Sequence, residues 1–319
     1  MTENGSPDLD SPLPPRKNSA AWVLLRLATL CLFSYLGLIV IIAAIQRRLI
    51  YHPHKGPVPA HLARMSTERI EEIQVPGGDG LTLHGWLTRP AESSRRPDRE
   101  LVIIFPGNAG HRAFRAPILD GFNQLGCDAL ICDYRGYAEN KGSPSEEGFA
   151  RDARAIWDFA VNELNVPRER IILLGESIGG GTATRLAWEK SREGTPPAGL
   201  ILRTTFTSLT DVARRFYPYL PVNWLLVDRY PSIDRIGEIT CPILVMHGDL
   251  DEIIPYEQGE QLFDAAPAES ANGVPKMFLK LPGTGHNDVM LVSDRIVHEA
   301  HREFLSRIRD LAPVEQKQD

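Results

Sequence analysis

A serine, an aspartate and a histidine stand out in this chain, because each follows an apolar strand-like run and falls in a loop marked by glycine. The serine is Ser177, within Gly175-Glu176-Ser177-Ile178-Gly179. Residues 171–174 before it are branched and apolar and read as a buried strand. A helix-compatible run begins at Thr182. Strand, tight turn and helix form a nucleophile elbow, which raises a serine hydroxyl above the sheet edge. So sharp a turn needs neighbours without side chains, and Gly175 and Gly179 supply them. The helix start behind it offers backbone N–H groups and a positive dipole end.

A serine nucleophile needs a base, and the base needs an acid. His286 follows the strand at 277–281, in Pro282-Gly283-Thr284-Gly285-His286-Asn287-Asp288, between glycines and a helix start. The acid belongs in the loop after the strand at 243–246, where Asp249 and Asp251 both qualify. Asp249 sits close to the turn and is better placed to bond local backbone, which leaves Asp251 for the histidine. The chemistry would be acyl transfer to water. His286 takes the Ser177 proton, Asp251 fixes the tautomer, and an acyl-enzyme forms and is hydrolysed. The oxyanion needs N–H donors. The strand at 101–105 runs into Pro106-Gly107-Asn108-Ala109-Gly110, so Asn108 or Ala109, together with Ile178, would donate. Removing one such donor typically costs about 2.7–4 kcal/mol of transition-state stabilisation. Asp133, after the strand at 129–132, reads as a loop-ordering residue bonded to backbone or to Arg135.

The remaining chain must position these groups. Residues 1–19 are rich in Pro, Ser, Asp and Asn and read as a disordered tail, as do 312–319. Residues 27–45 carry no charge, and the segment 20–46 reads as an uncleaved transmembrane anchor. Arg16, Lys17 and Arg26 flank it on one side, and Arg47, Arg48, Lys55 and Arg64 on the other. That balance leans, by a small margin, towards a cytoplasmic C-terminal domain. Tyr51 and His52 would lie at interface depth, where aromatic rings are favoured. Strands at 68–75 and 81–88 flank the turn Pro76-Gly77-Gly78-Asp79-Gly80. A helix is expected over 111–125. Another starts at Ser143-Pro144-Ser145-Glu146, with Ser143 as its N-cap, and runs to about Leu164. Residues 204–236 break the alternation of strand and helix. Their Phe206, Phe216, Tyr217, Tyr219, Trp224 and Tyr230 read as a short aromatic cap over the site. A last helix runs from about Val289 to Leu311.

Composition narrows the function. The chain has 319 residues and a net charge of −6, with no basic stripe, which argues against nucleic-acid binding. Cys31, Cys127, Cys132 and Cys241 show neither metal nor disulfide spacing and read as buried inert thiols. His54 and His61 read as surface residues of a Pro-rich linker rather than metal ligands. The proposed chemistry calls for no metal or organic cofactor.

Taken together, Pro-Gly-Asn-Ala-Gly, Asp-Tyr-Arg-Gly-Tyr, Gly-Glu-Ser-Ile-Gly-Gly, His-Gly-Asp-Leu-Asp-Glu and Gly-His-Asn-Asp resemble the membrane-anchored serine hydrolases of the α/β-hydrolase superfamily. The match is to the abhydrolase-domain branch related to the bud-emergence homologues and the acyl-protein thioesterases. It covers residues 47–311, the expected hydrolase domain. The resemblance implies a mostly parallel central sheet of about eight strands with helices on both faces. It also implies Ser177 as nucleophile, Asp251 as acid, His286 as base and the loop at Asn108 as part of the oxyanion hole. The chain departs from the commonest pattern in having Phe105-Pro106 where a histidine often precedes the first loop glycine. A small-molecule or lipid-like acyl ester is the expected substrate. A protein thioester, a peptide bond, and a catalytically inactive tethered scaffold are the rivals.

Overall fold

Strands of branched apolar residues, buried on both faces, are the framework from which the fold grows. The computed structural model describes residues 19–63, 65–94, 96 and 98–310. The tail at 312–319, all but the last residue of the tail at 1–19, and the flanking Arg16, Lys17 and Arg64 lie outside them. The chain divides after Ile45 into two units.

Helix α1, Ser19–Ile50, supplies the first unit and the first residues of the second. Its stretch Ala20–Ile50 has 31 residues and a mean hydropathy of 2.5 in its most apolar window. At about 1.5 Å rise per residue, such a helix is long and apolar enough to cross a bilayer.

The second unit holds the sheet. Its strands are β1 (Ile70–Pro76), β2 (Thr82–Thr88), β3 (Leu101–Phe105), β4 (Asp128–Cys132), β5 (Ile171–Glu176), β6 (Gly199–Arg203), β7 (Ile243–Gly248) and β8 (Met277–Leu281). They lie in the order β8-β7-β6-β5-β3-β4-β2-β1. Strands β1 and β2 form an antiparallel hairpin, β2 joins β4 antiparallel, and every other pairing is parallel. Alternate residues serve opposite faces. Leu101, Ile103 and Phe105 enter one core with helix α3 (Glu146–Asn162) and helix α4 (Ile178–Arg192). Val102 and Ile104 enter another with helix α2 (Ala116–Gln124) and the C-terminal helix. Each such side chain contributes about 1.5–3 kcal/mol through burial, on both faces of the sheet.

Several expectations shift. Helix α3 starts at Glu146, capped by Ser145, whose Oγ accepts from Gly148 N at 3.0 Å. Ser143 is not the cap, because Pro144 belongs to the preceding loop and packs on Gly136. Helix α4 begins at Ile178 rather than Thr182, so the glycine run after Ser177 is helical. Tyr51 is not an exposed ring. It is buried in the second unit, its hydroxyl 2.9 Å from that of Tyr230 and its ring 5.3 Å from Phe149.

Between β6 and β7 come three short helices: α5 (Leu209–Phe216), α6 (Val222–Leu225) and α7 (Ile233–Ile236). Phe206 and Tyr230 are buried there, whereas Phe216, Tyr217, Tyr219 and Trp224 are exposed. Helix α8 (Tyr256–Ala265) follows β7. The last helix is broken into α9 (Val289–Val292) and α10 (Asp294–Arg309). The break falls at Ser293, whose hydroxyl is tied to Thr284 Oγ1 at 2.7 Å.

Candidate active site

Strand β5 delivers Ser177 to the C-terminal edge of the sheet in a conformation side chains rarely adopt, φ 53° and ψ −119°. The surroundings hold it there. Ser177 N donates to Arg203 O at 3.0 Å, and its carbonyl accepts from Gly180 N at 2.9 Å and from Thr205 Oγ1 at 2.7 Å. The two motif glycines are needed because backbone passes too close for a Cβ. At Gly175 one would lie 2.5 Å from Gly179 O, and at Gly179 one would lie 2.0 Å from Phe105 O. A strained φ at one residue is held by contacts at its neighbours, and such strain clusters where chemistry is done.

The structure brings Ser177, His286 and Asp251 into one hydrogen-bonded line. His286 Nε2 lies 3.1 Å from Ser177 Oγ, and His286 Nδ1 lies 2.8 Å from Asp251 Oδ2. The carboxylate can only accept, so Nδ1 carries the proton and Nε2 accepts from the serine hydroxyl. The residues are separated by 109 and 35 positions in sequence, so the fold alone makes them neighbours. The histidine loop is ordered by Asp288, whose Oδ1 accepts from Gly285 N at 2.7 Å.

Asp251 is fixed by its backbone neighbours. Its Oδ1 accepts from Ile253 N at 3.0 Å and Ile254 N at 2.7 Å. Burial alone would raise its pKa. Hydrogen bonds from His247 and His286 outweigh that and hold the carboxyl well below the usual carboxylate range. Asp249, the other candidate, caps the β8 turn. Its Oδ1 accepts from Gly283 N at 2.7 Å, and its Oδ2 pairs with Lys280 at 3.2 Å.

His247 went unnoticed at the sequence level. It is fully buried, with Nε2 2.9 Å from Ile254 O and 3.3 Å from Asp251 Oδ2. Both neighbours accept, so this N–H is shared between them and sets the position of the aspartate. Its only signal was a place in the strand just before the acid loop. Glu176, inside the serine motif, is a second such residue. Its oxygens accept from Arg115 at 2.7 Å and Arg203 at 2.6 Å. Burial opposes its charge, but the two guanidinium groups hold its pKa down at about 2. Arg115 also donates to Ala109 O at 3.0 Å, and Arg203 lies 3.2 Å from Met290 Sδ. One partly buried ion cluster thereby links the loop at Ala109, the serine turn and the helix after His286.

The loop 107–110 passes beside the serine, since a Cβ on Gly107 would lie 3.6 Å from that of Ser177. The Asn108 side chain is committed elsewhere, Nδ2 donating to Ile50 O at 2.7 Å. Its carbonyl accepts from His52 N at 3.1 Å and from Tyr137 Oη at 2.8 Å, and His52 and Ala109 pair in a short parallel bridge. Only main-chain N–H groups of Asn108 or Ala109 therefore remain as donors from this loop. Ile178 opens α4, where N–H groups have no partner within the helix. Asp133 orders its loop through backbone, one of its two expected roles, and not through Arg135. It accepts from Arg112, main chain at 2.8 Å and side chain at 2.5 Å, because Arg135 is taken up by Asp152 and Asp79.

A family model described as "Serine aminopeptidase, S33" matches residues 96–233. Over 270 residues the chain is 41% identical to an uncharacterized protein of Mycobacterium tuberculosis, Rv2307c, covering 85% of this chain and 90% of the relative. It is 28% identical over 301 residues to the lysophosphatidylserine lipase ABHD12 of Danio rerio, covering 83% and 78%. Among solved structures, the Pyrococcus furiosus esterase Pf2001 superposes with a TM-score of 0.61 at 16% identity, covering 80% of this chain and 98% of that one. At that identity the likeness speaks for the fold.

Proposed function

The chain belongs to the α/β-hydrolase superfamily, and we propose that within it the protein is a membrane-anchored serine hydrolase that cleaves ester-type acyl bonds. The observation that carries the proposal is the line Ser177–His286–Asp251, at 3.1 and 2.8 Å. In this reading His286 removes the Ser177 proton as Oγ attacks the acyl carbon. Asp251 holds the imidazole in its Nδ1–H tautomer and stabilises the imidazolium that forms. The N–H of Ile178, with that of Asn108 or Ala109, receives the oxyanion. His286 then protonates the leaving alcohol, and water attacks the acyl-enzyme with the same histidine as base.

An ester or lipid substrate is favoured by the lipase among the relatives and by the apolar helix α1. The family model's description keeps a peptidase as the second reading. An aminopeptidase needs a free carboxylate for the substrate amine. Of the three carboxylates in the segment, Asp211 is bonded by Ser208, Thr207 and Arg214 and Asp228 by Arg47, whereas Asp234 is exposed. The test is turnover by the purified full chain of a panel of acyl esters, acyl thioesters and aminoacyl amides, with Ser177→Ala as control. The proposal expects esters to be cleaved fastest and the variant to be inactive. Preference for aminoacyl amides would move the protein to the second reading.

A further inference from the structure

The segment between β6 and β7 carries large apolar side chains that stand exposed. Phe216, Tyr217, Tyr219, Trp224 and Val227 lie within twelve positions of one another, and all are exposed, Trp224 at 89% and Val227 at 64%. Single exposed apolar residues are ordinary. Five bulky ones in so short a segment form a patch of the kind that marks an interaction surface. The composition says more. Three of the five are Trp or Tyr, the residues enriched where one end of a ring is in hydrocarbon and the other in water. Arg214 and Arg215 are exposed beside them, as cations are at an anionic lipid surface.

A second observation says what covers the patch. The apolar run of α1 ends at Ile45, and the next two residues are bound to this same segment. Gln46 donates to Leu225 O at 3.2 Å and accepts from Val227 N at 2.9 Å, so one buried amide fastens the backbone on either side of Leu226. Arg47 pairs with Asp228 through two bonds, at 2.9 and 3.2 Å. Asp228 is itself buried and also accepts from Glu146 N at 3.1 Å. A chain leaving a bilayer at Ile45 has about 3.8 Å per residue to travel before Gln46 and Arg47 seize the segment. Residues 225–228 are therefore held by the two residues that directly follow the apolar run in sequence, and the neighbouring side chains of Phe216, Tyr217, Tyr219 and Trp224 stay 46–89% exposed.

We infer that the exposed face formed by Phe216, Tyr217, Tyr219, Trp224 and Val227 is seated in the interface of a lipid bilayer, fastened there by Gln46 and Arg47. The inference rests on the proposed anchor. It deepens the proposed function by naming the phase from which substrate comes: an acyl chain drawn from the leaflet rather than from water. The segment leaves β6 at the same sheet edge at which β5 presents Ser177, so the seated face and the hydrolytic site share one end of the fold.

The experiment uses the full chain with Cys31→Ser, reconstituted in vesicles of phosphatidylcholine and phosphatidylglycerol. An environment-sensitive thiol label is placed at Trp224→Cys or, as a control, at Glu193→Cys. Glu193 is exposed beyond the far end of α4, at the opposite edge of the sheet. Bromine on the acyl chains is expected to quench the label at 224 at least two-fold and to leave that at 193 unchanged. Equal quenching at the two sites would overturn the inference. So would a label at 224 that bromolipid does not reach but that is shielded from aqueous iodide in a crosslinkable dimer, which would give the face to a second copy. Extraction by alkaline carbonate is read separately. Release of the protein would refute the anchor, whereas retention without quenching at 224 would refute the seated face alone.

Discussion

The turn at Ser177 and the segment from Leu209 to Val227 lie at the same edge of the sheet, yet they are governed by opposite constraints. At the turn, every residue type is dictated from inside. A Cβ at Gly179 would lie 2.0 Å from Phe105 O, and Ser177 is held at a φ of 53° by bonds of its backbone with Arg203, Gly180 and Thr205. In the segment, side chains such as Trp224 touch little of the unit, and their types answer to something outside the fold. Regions of the first kind are specified by close packing and tolerate nothing. Regions of the second kind are cheap to change for stability and costly only for what they meet.

Substitutions at the turn and its partners should produce the largest effects. Ser177→Ala and His286→Ala are each expected to lower turnover on the order of 10⁶-fold, and the double variant no further, because the groups act as a unit. Steady-state kinetics on the best ester of the panel measures this. Asp251→Asn should lose roughly 10⁴-fold by disfavouring the required tautomer. Asp249→Asn, which removes a turn bond, should stay within about ten-fold, in line with surface changes of no more than about 1 kcal/mol. If Asp249→Asn proved the more damaging, the acid has been misassigned.

Packing gives the next contrast. Gly179→Ala should cost about 3 kcal/mol or more, read as a fall in thermal midpoint or a failure to fold. Gly78, in the β1–β2 turn, has open space around its Cβ position, and Gly78→Ala should change stability by no more than about 0.5 kcal/mol.

The ion cluster under the turn predicts a pH dependence. Glu176 has a folded pKa of about 2, against an ordinary value of 4.5. The unfolded chain therefore binds more protons between these values, and stability falls as pH falls. This group's contribution is complete above pH 4.5 and is lost as pH approaches 2, amounting to about 3 kcal/mol. Urea midpoints across that window should show the loss in the wild type and a shallower slope in Glu176→Gln. The smallest effect on the fold belongs to the exposed segment. Trp224→Ser should shift unfolding free energy by less than about 0.5 kcal/mol, because little packing is removed.

The same contrast explains what the sequence could reveal. The strands at 101–105 and 277–281 are uninterrupted apolar runs or follow clear breaks, and their bounds agree with the structure. Ser177, Asp251 and His286 were legible because each carries a local mark: a strand behind it and glycines beside it. Turn chemistry is local too: it assigns Asp249 to the backbone, and the structure has it accept from Gly283 N while Asp251 lies beside His286. What escaped notice was non-local. Arg115 and Arg203 meet Glu176 across 61 and 27 positions, and Asp133 finds Arg112 rather than Arg135, with no spacing rule to announce either. Tyr51 was assigned to an interface from its nearness to the apolar run, but its partner Tyr230 lies 179 positions away. The start of α3 was misplaced by two residues, because Ser143 and Ser145 offer the same capping chemistry and only the loop packing of Pro144 separates them.

Covalent labelling with a fluorophosphonate probe tests the central claim most directly. The reagent reacts with a serine only when a base activates it and an oxyanion site receives the charge. The account predicts labelling of the folded wild type, a mass adduct mapped to Ser177, and its loss in both Ser177→Ala and His286→Ala. A folded wild type that takes no label, or an adduct on a different serine, would contradict it and leave the protein a member of a hydrolase family without the reaction proposed.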